Sequence, residues 1–360
     1  MIRWSVVLVS AIALVRCQSW GTFWDARSDK KEITAFALPA LGATGKITGS
    51  LITLYAESTT ALSPQTAIFT TTGAYVRVGM VTQTSGITIN DYSSTIIYTV
   101  VAENGTTQDY RVVVLAPRLV AGLSAWYKAD ALAYADGATI ATWNDSSANG
   151  NNLSLSYGTK PVMKTGILNA KPVGRFTRTG TSDGIYNSAV TGFSGNSFTY
   201  FIVFRRSAYN AQEQYIFYAN DGSAGCSGSA LTQTIQAGAT GLLLVNRPCN
   251  TYYVTGGPDF TDTINFHLLA MRYDFSTSRS QQYLDGVTTF DQVIASQTLP
   301  VVSKFMLGNY DHNSGAGDRV FDGDLAEFLY YSTSLSDADR LRISCYLNEK
   351  YALQQSQACS

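Results

Sequence analysis

The chain has 360 residues, 45% of them hydrophobic and 14% charged, with a formal net charge of −1. Such a composition supports a sizeable core and excludes a largely disordered chain. The near-neutral balance, without a basic stripe, also excludes an electrostatic nucleic-acid binder.

In chain order, Arg3 precedes an apolar run from Trp4 to Val15, 12 residues long. It is too short to span a bilayer and suits the apolar region of a signal peptide. Residues 1–17 are therefore expected to be a targeting segment, and two cleavage readings stay open. Leu14-Val15-Arg16-Cys17 is similar to a bacterial lipobox, which would make Cys17 a lipid anchor, although Arg16 stands where a small residue is expected. The other reading is a secretory cut after Ala11-Ile12-Ala13.

Residues 18–31 read as a tether. From 32 to 116 the chain reads as short strands: Ile52 to Tyr55, Tyr75 to Val78 and Tyr110 to Val114 alternate or run apolar at period two. Ile96 to Val101 followed by Glu103-Asn104-Gly105 predicts a hairpin, because Asn-Gly supplies positive φ. Ala116-Pro117-Arg118 marks a boundary. From 119 to 360 the text again reads as strands until one helix. Ser336 can cap that helix with Asp339 in capping-box register. Ile343, Leu347 and Tyr351 then form a single apolar stripe.

The five cysteines are Cys17, Cys226, Cys249, Cys345 and Cys359. Without Cys17 four remain, allowing three pairings; proximity favours Cys226–Cys249 and Cys345–Cys359. Disulfides fit an exported protein, and no CxxC spacing supports a thiolate metal site.

Several stretches carry family resemblances. Residues 32–115, ending in Tyr98-Thr99-Val100-Val101-Ala102-Glu103-Asn104-Gly105, resemble bacterial Ig-like surface modules, which implies a small sandwich acting as a spacer. Leu123 to Asp130, Trp143 to Asn151, Asn169 to Phe176, Phe198 to Phe204, Tyr283-Leu284-Asp285-Gly286 and Phe321 to Leu353 resemble, in order, bacterial laminin G-like domains of the concanavalin A-like lectin/glucanase superfamily. The implied fold class is all-β: a small Ig-like sandwich, then a concanavalin A-like jelly roll with one short C-terminal helix. That fold hosts lectins, adhesins and glucanases alike, so it does not settle activity.

Candidate chemistry is sparse. Retaining hydrolysis needs two carboxylates about 5 Å apart. The nearest set is Asp322, Asp324 and Glu327, of which strict alternation puts Glu327 on the opposite face. No catalytic residues are therefore assigned and the chain is read as a non-enzyme. Calcium is the expected cofactor, through oxygen-rich loops with Asn144, Asp145 and Asn149, or with Asp311 and Asp318; the same residues equally make turns. Aromatic platforms for a sugar or peptide are expected at Tyr209, Tyr215, Tyr252 and Tyr310. The expected protein is secreted or displayed at the cell surface, and binds carbohydrate or an extracellular host or matrix protein. A divergent glycoside hydrolase or lyase, and a structural envelope component, are the alternatives.

Overall fold

A computed structural model describes residues 27–57, 61–179, 183–193, 196–207, 214–222, 229–235, 242–248, 253–255, 260–294, 301–310 and 319–353. The chain is all-β, and its helix lies near the C-terminus.

The strands up to Leu115 form two main sheets around one core, with Gln65–Thr66 and Ile89–Asn90 making a further two-stranded sheet. The larger has the order Lys46–Thr48, Leu51–Tyr55, Thr107–Leu115, Ile96–Val101, Tyr75–Val78, Val81–Thr82, and the smaller Ala43–Thr44, Ile33–Leu38, Ile68–Thr71. Alternation in Leu51–Tyr55 buries Ile52 and Leu54, which join Phe36, Tyr98 and Val112 between the sheets. The expected hairpin is present: Ile96–Val101 pairs antiparallel with Thr107–Leu115, and Gly105 takes φ +84°. This content matches the Ig-like expectation.

The second unit is a sandwich of two larger sheets. One runs Val162–Leu168, Lys171–Phe176, Gly323–Tyr331, Phe198–Arg206, His267–Asp274, Arg279–Leu284, Val287–Val293, with Leu123–Lys128 also pairing to Gly323–Tyr331. The other has the order Ile185–Asn187, Lys304–Leu307, Gln214–Asn220, Ser229–Ile235, Leu242–Pro248, Tyr253–Thr255. Phe198, Tyr200, Ile202 and Phe204 on one sheet face Phe217, Leu231, Phe305 and Leu307 on the other across a buried aromatic core.

The motif residues have physical reasons to be what they are. Trp143 stacks near Phe176 at 6.3 Å and crosses the strand at Gly174, where a Cβ would overlap the indole. Asp285 and Gly286, at φ +50° and +81°, turn the hairpin that joins Leu284 to Val287. Asn169 and Ala170 turn the Leu168–Lys171 hairpin in the same left-handed region, at φ +47° and +59°.

The outer face of the seven-strand path is covered by the helix Asp337–Tyr351. Its cap is the expected one: the Asp339 backbone N–H donates to Ser336 Oγ at 3.1 Å, and the Ser336 hydroxyl donates to Asp339 Oδ2 at 2.8 Å. Ile343, Leu347 and Tyr351 pack on Trp126, Phe201, Leu329 and Tyr331. The opposite helix face meets the small unit, with Leu341, Arg342 and Cys345 lining a gap of about 200 Å³ opposite Leu51, Thr53, Arg111 and Val113.

A left-handed alanine is strained because its Cβ crowds the following carbonyl. Ala170→Gly is expected to stabilise the protein by about 1 kcal/mol, read as a higher Tm; an unchanged or lower Tm refutes that strain.

Candidate binding face and the buried carboxylates

Two places in the large unit gather polar chemistry, and each is shaped by a β-bulge. In the strand Gln214–Asn220, pairing passes from Tyr215↔Thr234 to Phe217↔Gln233, leaving Ile216 as the extra residue. Phe217 then points into the core while Tyr215 and Tyr218 share the outer face. Lys304, Met306 and Tyr186 belong to that face by register, since Met306 is paired with both Tyr186 and Tyr218, and Lys304 with Asn220.

Two aromatic clusters sit on this face. Tyr215 and Tyr218 are buried, and Tyr310 packs 5.2 and 5.1 Å from their ring centroids. The Arg319 guanidinium lies 5.8 Å from the Tyr215 ring and 5.5 Å from that of Tyr310. Beside them Tyr157 stacks on Tyr186 at 4.6 Å and 20°. Lys304 Nζ donates to the Tyr157 hydroxyl at 2.6 Å and lies 4.9 Å from both rings. Tyr157 is 42% exposed, so this pair offers an aromatic surface to solvent. A cation held against a ring is a favourable contact that also fixes the ring in place.

Of the four tyrosines expected from sequence, Tyr215 and Tyr310 are brought together here. Tyr209 and Tyr252 lie outside the described residues. Tyr157, Tyr186 and Lys304 were not anticipated. Tyr157 precedes Gly158 in a Ser/Gly-rich turn and so had a local signal, whereas Lys304 is recruited only by cross-sheet register.

The oxygen-rich loop is tied down internally. The Asp145 carboxylate accepts from the backbone N–H of Trp126, Ser147 and Asn151 at 2.8–3.0 Å and from the Ser147 hydroxyl at 2.7 Å. Asn149 Nδ2 donates to the carbonyls of Leu123 and Ser124, each at 3.0 Å, and Asn144 is exposed. Asp311 and Asp318 lie outside the described residues. Cys345 is disulfide-bonded; the other four cysteines, Cys17, Cys226, Cys249 and Cys359, lie outside the described residues.

The second bulge governs the carboxylates. Val203 pairs with Glu327 but Phe204 with Leu325, leaving Ala326 unpaired. Strict alternation would separate Asp324 from Glu327; the extra residue returns both to the outer face of the sheet. They are nevertheless neutralised separately. Asp324, fully buried, takes both Nε and Nη2 of Arg175 at 2.7 and 3.0 Å and is paired with Arg205. Glu327, also fully buried, accepts from Trp126 Nε1 at 2.6 Å, the Tyr351 hydroxyl at 2.8 Å and Lys350 at 2.7 Å. Burial pushes the Asp322 carboxyl upward, with Asp324 adding to the shift against Arg178 and Arg175.

Lys350 joins the two units. Its ammonium also reaches Asp130 at 3.0 Å and Glu57 of the small unit at 2.7 Å, and Lys128 meets Glu57 at 3.0 Å. Burial opposes the charge on Glu57, but Lys350 and Lys128 outweigh it and hold the carboxyl down to about 2.

With this geometry in place, residues 179–339 match the model of the concanavalin A-like lectin/glucanases superfamily. The large unit is a concanavalin A-like domain. Among solved structures, the chain is similar to the CBM40 module of the Ruminococcus gnavus IT-sialidase bound to α2,3-sialyllactose. The identity is 18% and the TM-score 0.40, covering 51% of this chain and 97% of that one. It is similar to domain 4 of AbnA, a GH43 extracellular arabinanase of Geobacillus stearothermophilus, in complex with arabinotriose: 16% identity, TM-score 0.45, 61% and 97% covered. A third is the Trypanosoma rangeli sialidase in complex with sialic acid, at 14% identity and TM-score 0.41, with 66% and 34% covered. No curated protein matches the chain. Among the described residues no helix is long and apolar enough to cross a membrane.

The depressed Glu57 carboxyl has a signed consequence. Its contribution to stability is complete above the ordinary carboxyl value of 4.5 and is lost as pH falls from there towards about 2. Glu57→Gln is expected to lower Tm at neutral pH and to flatten its fall across that acid window. Parallel Tm–pH profiles for the two proteins would refute the assignment.

Proposed function

We propose that this chain is an exported surface protein whose concanavalin A-like domain binds carbohydrate and is presented on an Ig-like module. The observation that carries the reading is the exposed Tyr157 ring, stacked on Tyr186 and fixed by Lys304. A rigid aromatic ring offers a flat apolar surface to the C–H face of a sugar, while an adjacent ammonium is a donor for hydroxyl or carboxylate oxygens. The superfamily's lectins and glucanases make carbohydrate the leading ligand class.

Binding rather than hydrolysis is favoured because Asp324 and Glu327 are each saturated by cations and donors. A retaining hydrolase needs two carboxylates about 5 Å apart that can reach the sugar. Calcium belongs to the proposal through the loop around Asp311 and Asp318, and around Asp145 only by displacing donors that the carboxylate accepts; an extracellular protein is the second class of partner.

The test is a glycan and matrix-protein array with the full chain, run with calcium and with chelator, followed by calorimetry on hits. Tyr157→Ala is expected to weaken glycan binding at least about tenfold, equal to about 1.4 kcal/mol, with Tm unchanged. No glycan bound in either condition, or full affinity in the variant, would overturn the reading.

Lipid attachment at Cys17 is the finer part of the export proposal. Palmitate fed to the native cell is expected to label the chain and not a Cys17→Ser variant. Absence of label in both leaves simple secretion as the route.

A further inference from the structure

His267 opens the strand His267–Asp274 at one end of the sandwich, its side chain 12% exposed. Its ring nitrogens face two different carboxylates. Nδ1 is 2.6 Å from Asp285 Oδ2, and the other oxygen of Asp285 accepts the Leu268 backbone N–H at 2.9 Å. A carboxylate only accepts, so Nδ1 carries a proton, and Nε2 is left either to carry a second proton or to present a lone pair. That Nε2 is buried and, among the described residues, has no hydrogen-bond partner.

The atom it faces is Asp262 Oδ2, 3.5 Å away. Asp262 is itself held rigid: its Oδ1 accepts the backbone N–H of Ile264 and Asn265 at 2.7 and 2.9 Å, and its Oδ2 the Asn265 side chain at 2.7 Å. With Nε2 unprotonated, two electron-pair donors face each other across a gap longer than a good hydrogen bond, and the arrangement is repulsive without a positive charge between them. A divalent cation about 2.0–2.2 Å from each, at a tetrahedral angle, would separate them by about 3.4 Å. A carboxylate on the far nitrogen is the usual partner of a metal-bound histidine, fixing its tautomer and ring orientation.

We propose that His267 Nε2 and Asp262 Oδ2 form a binding site for a borderline divalent cation of the zinc, cobalt or nickel type, with Asp285 orienting the imidazole. An imidazole donor selects these ions over calcium. Among the described residues no third His, Cys, Asp or Glu completes the set, so water fills the remaining positions. Asp262 is 31% exposed, which leaves a route from solvent. The ion would tie the segment Asp262–Asn265 to the Asp285–Gly286 hairpin turn, and it stands apart from the tyrosine face.

The experiment uses tag-free, chelator-stripped full chain, titrated with Zn²⁺, Co²⁺ and Ca²⁺ by calorimetry, with the Co²⁺ visible spectrum as a second readout. One Zn²⁺ or Co²⁺ per chain is expected, with a His-bound Co²⁺ band and no matching Ca²⁺ response. His267→Gln and Asp262→Asn should each lose that binding, and Asp285→Asn should weaken it by about 10–100-fold. If His267→Gln fails to fold by circular dichroism, Asp262→Asn, altering a partly exposed side chain, carries the test. No Zn²⁺ or Co²⁺ binding by the wild type at millimolar ion, or unchanged binding in a folded variant, overturns the site. The latter result assigns the ion to other donors, the former an imidazolium proton to the gap.

Discussion

Lys350 is the constraint on which the arrangement of this protein depends. Its ammonium is almost wholly buried between Glu327 of the large sheet, Asp130 beside its first strand, and Glu57 of the small unit. With Lys128 on Glu57 and Lys171 3.8 Å from Asp130, three cations face three carboxylates. A buried charge that loses its partner costs about 3–5 kcal/mol. A helix displaced by one turn would leave Lys350 and Glu327 in that condition. The apolar stripe supplies attraction between helix and sheet but tolerates sliding; the ionic network admits one position. Because Glu57 comes from the small unit, that position also fixes how the two units meet.

The same network explains why Asp324 and Glu327 form no exposed carboxylate pair. The bulge at Ala326 places Asp324 and Glu327 on one face, as a hydrolase would require, but that face lies beneath the helix. Each carboxylate there serves as a counter-ion, Asp324 for two arginines and Glu327 for Lys350. A cluster of aromatic rings and cations lies on the other sheet, where a second bulge at Ile216 aligns Tyr215 with Tyr218. Two one-residue insertions in strand register thus assign the two sheets different work: one is sealed by the helix, and the other carries the aromatic surface.

Most of the architecture was legible in the sequence because it depends on local chemistry. Period-two alternation marked the strands, Asn-Gly marked a hairpin through positive φ, and Ser336 with Asp339 marked the helix start. The ordered motifs from Trp126 to Tyr351 identified the concanavalin A-like domain that the superfamily match supports. At Ala170 the chain keeps its left-handed turn at the expense of strain.

The functional surface was legible only in part. Tyr215 and Tyr310 could be named as aromatics near turns, but their meeting with Arg319, and the Tyr157–Tyr186–Lys304 cluster, arise from strands far apart in sequence. Bulges broke the alternation on which face assignment rests, because one extra residue reverses every side chain beyond it. The elements, their turns and the family of the large domain could be read from the residues in order, since these follow from nearest-neighbour propensities and motif order. Tertiary structure alone decided which charges neutralise one another, which tyrosines face solvent and which nitrogen of His267 meets Asp262. Those are properties of distances between segments brought together only by folding.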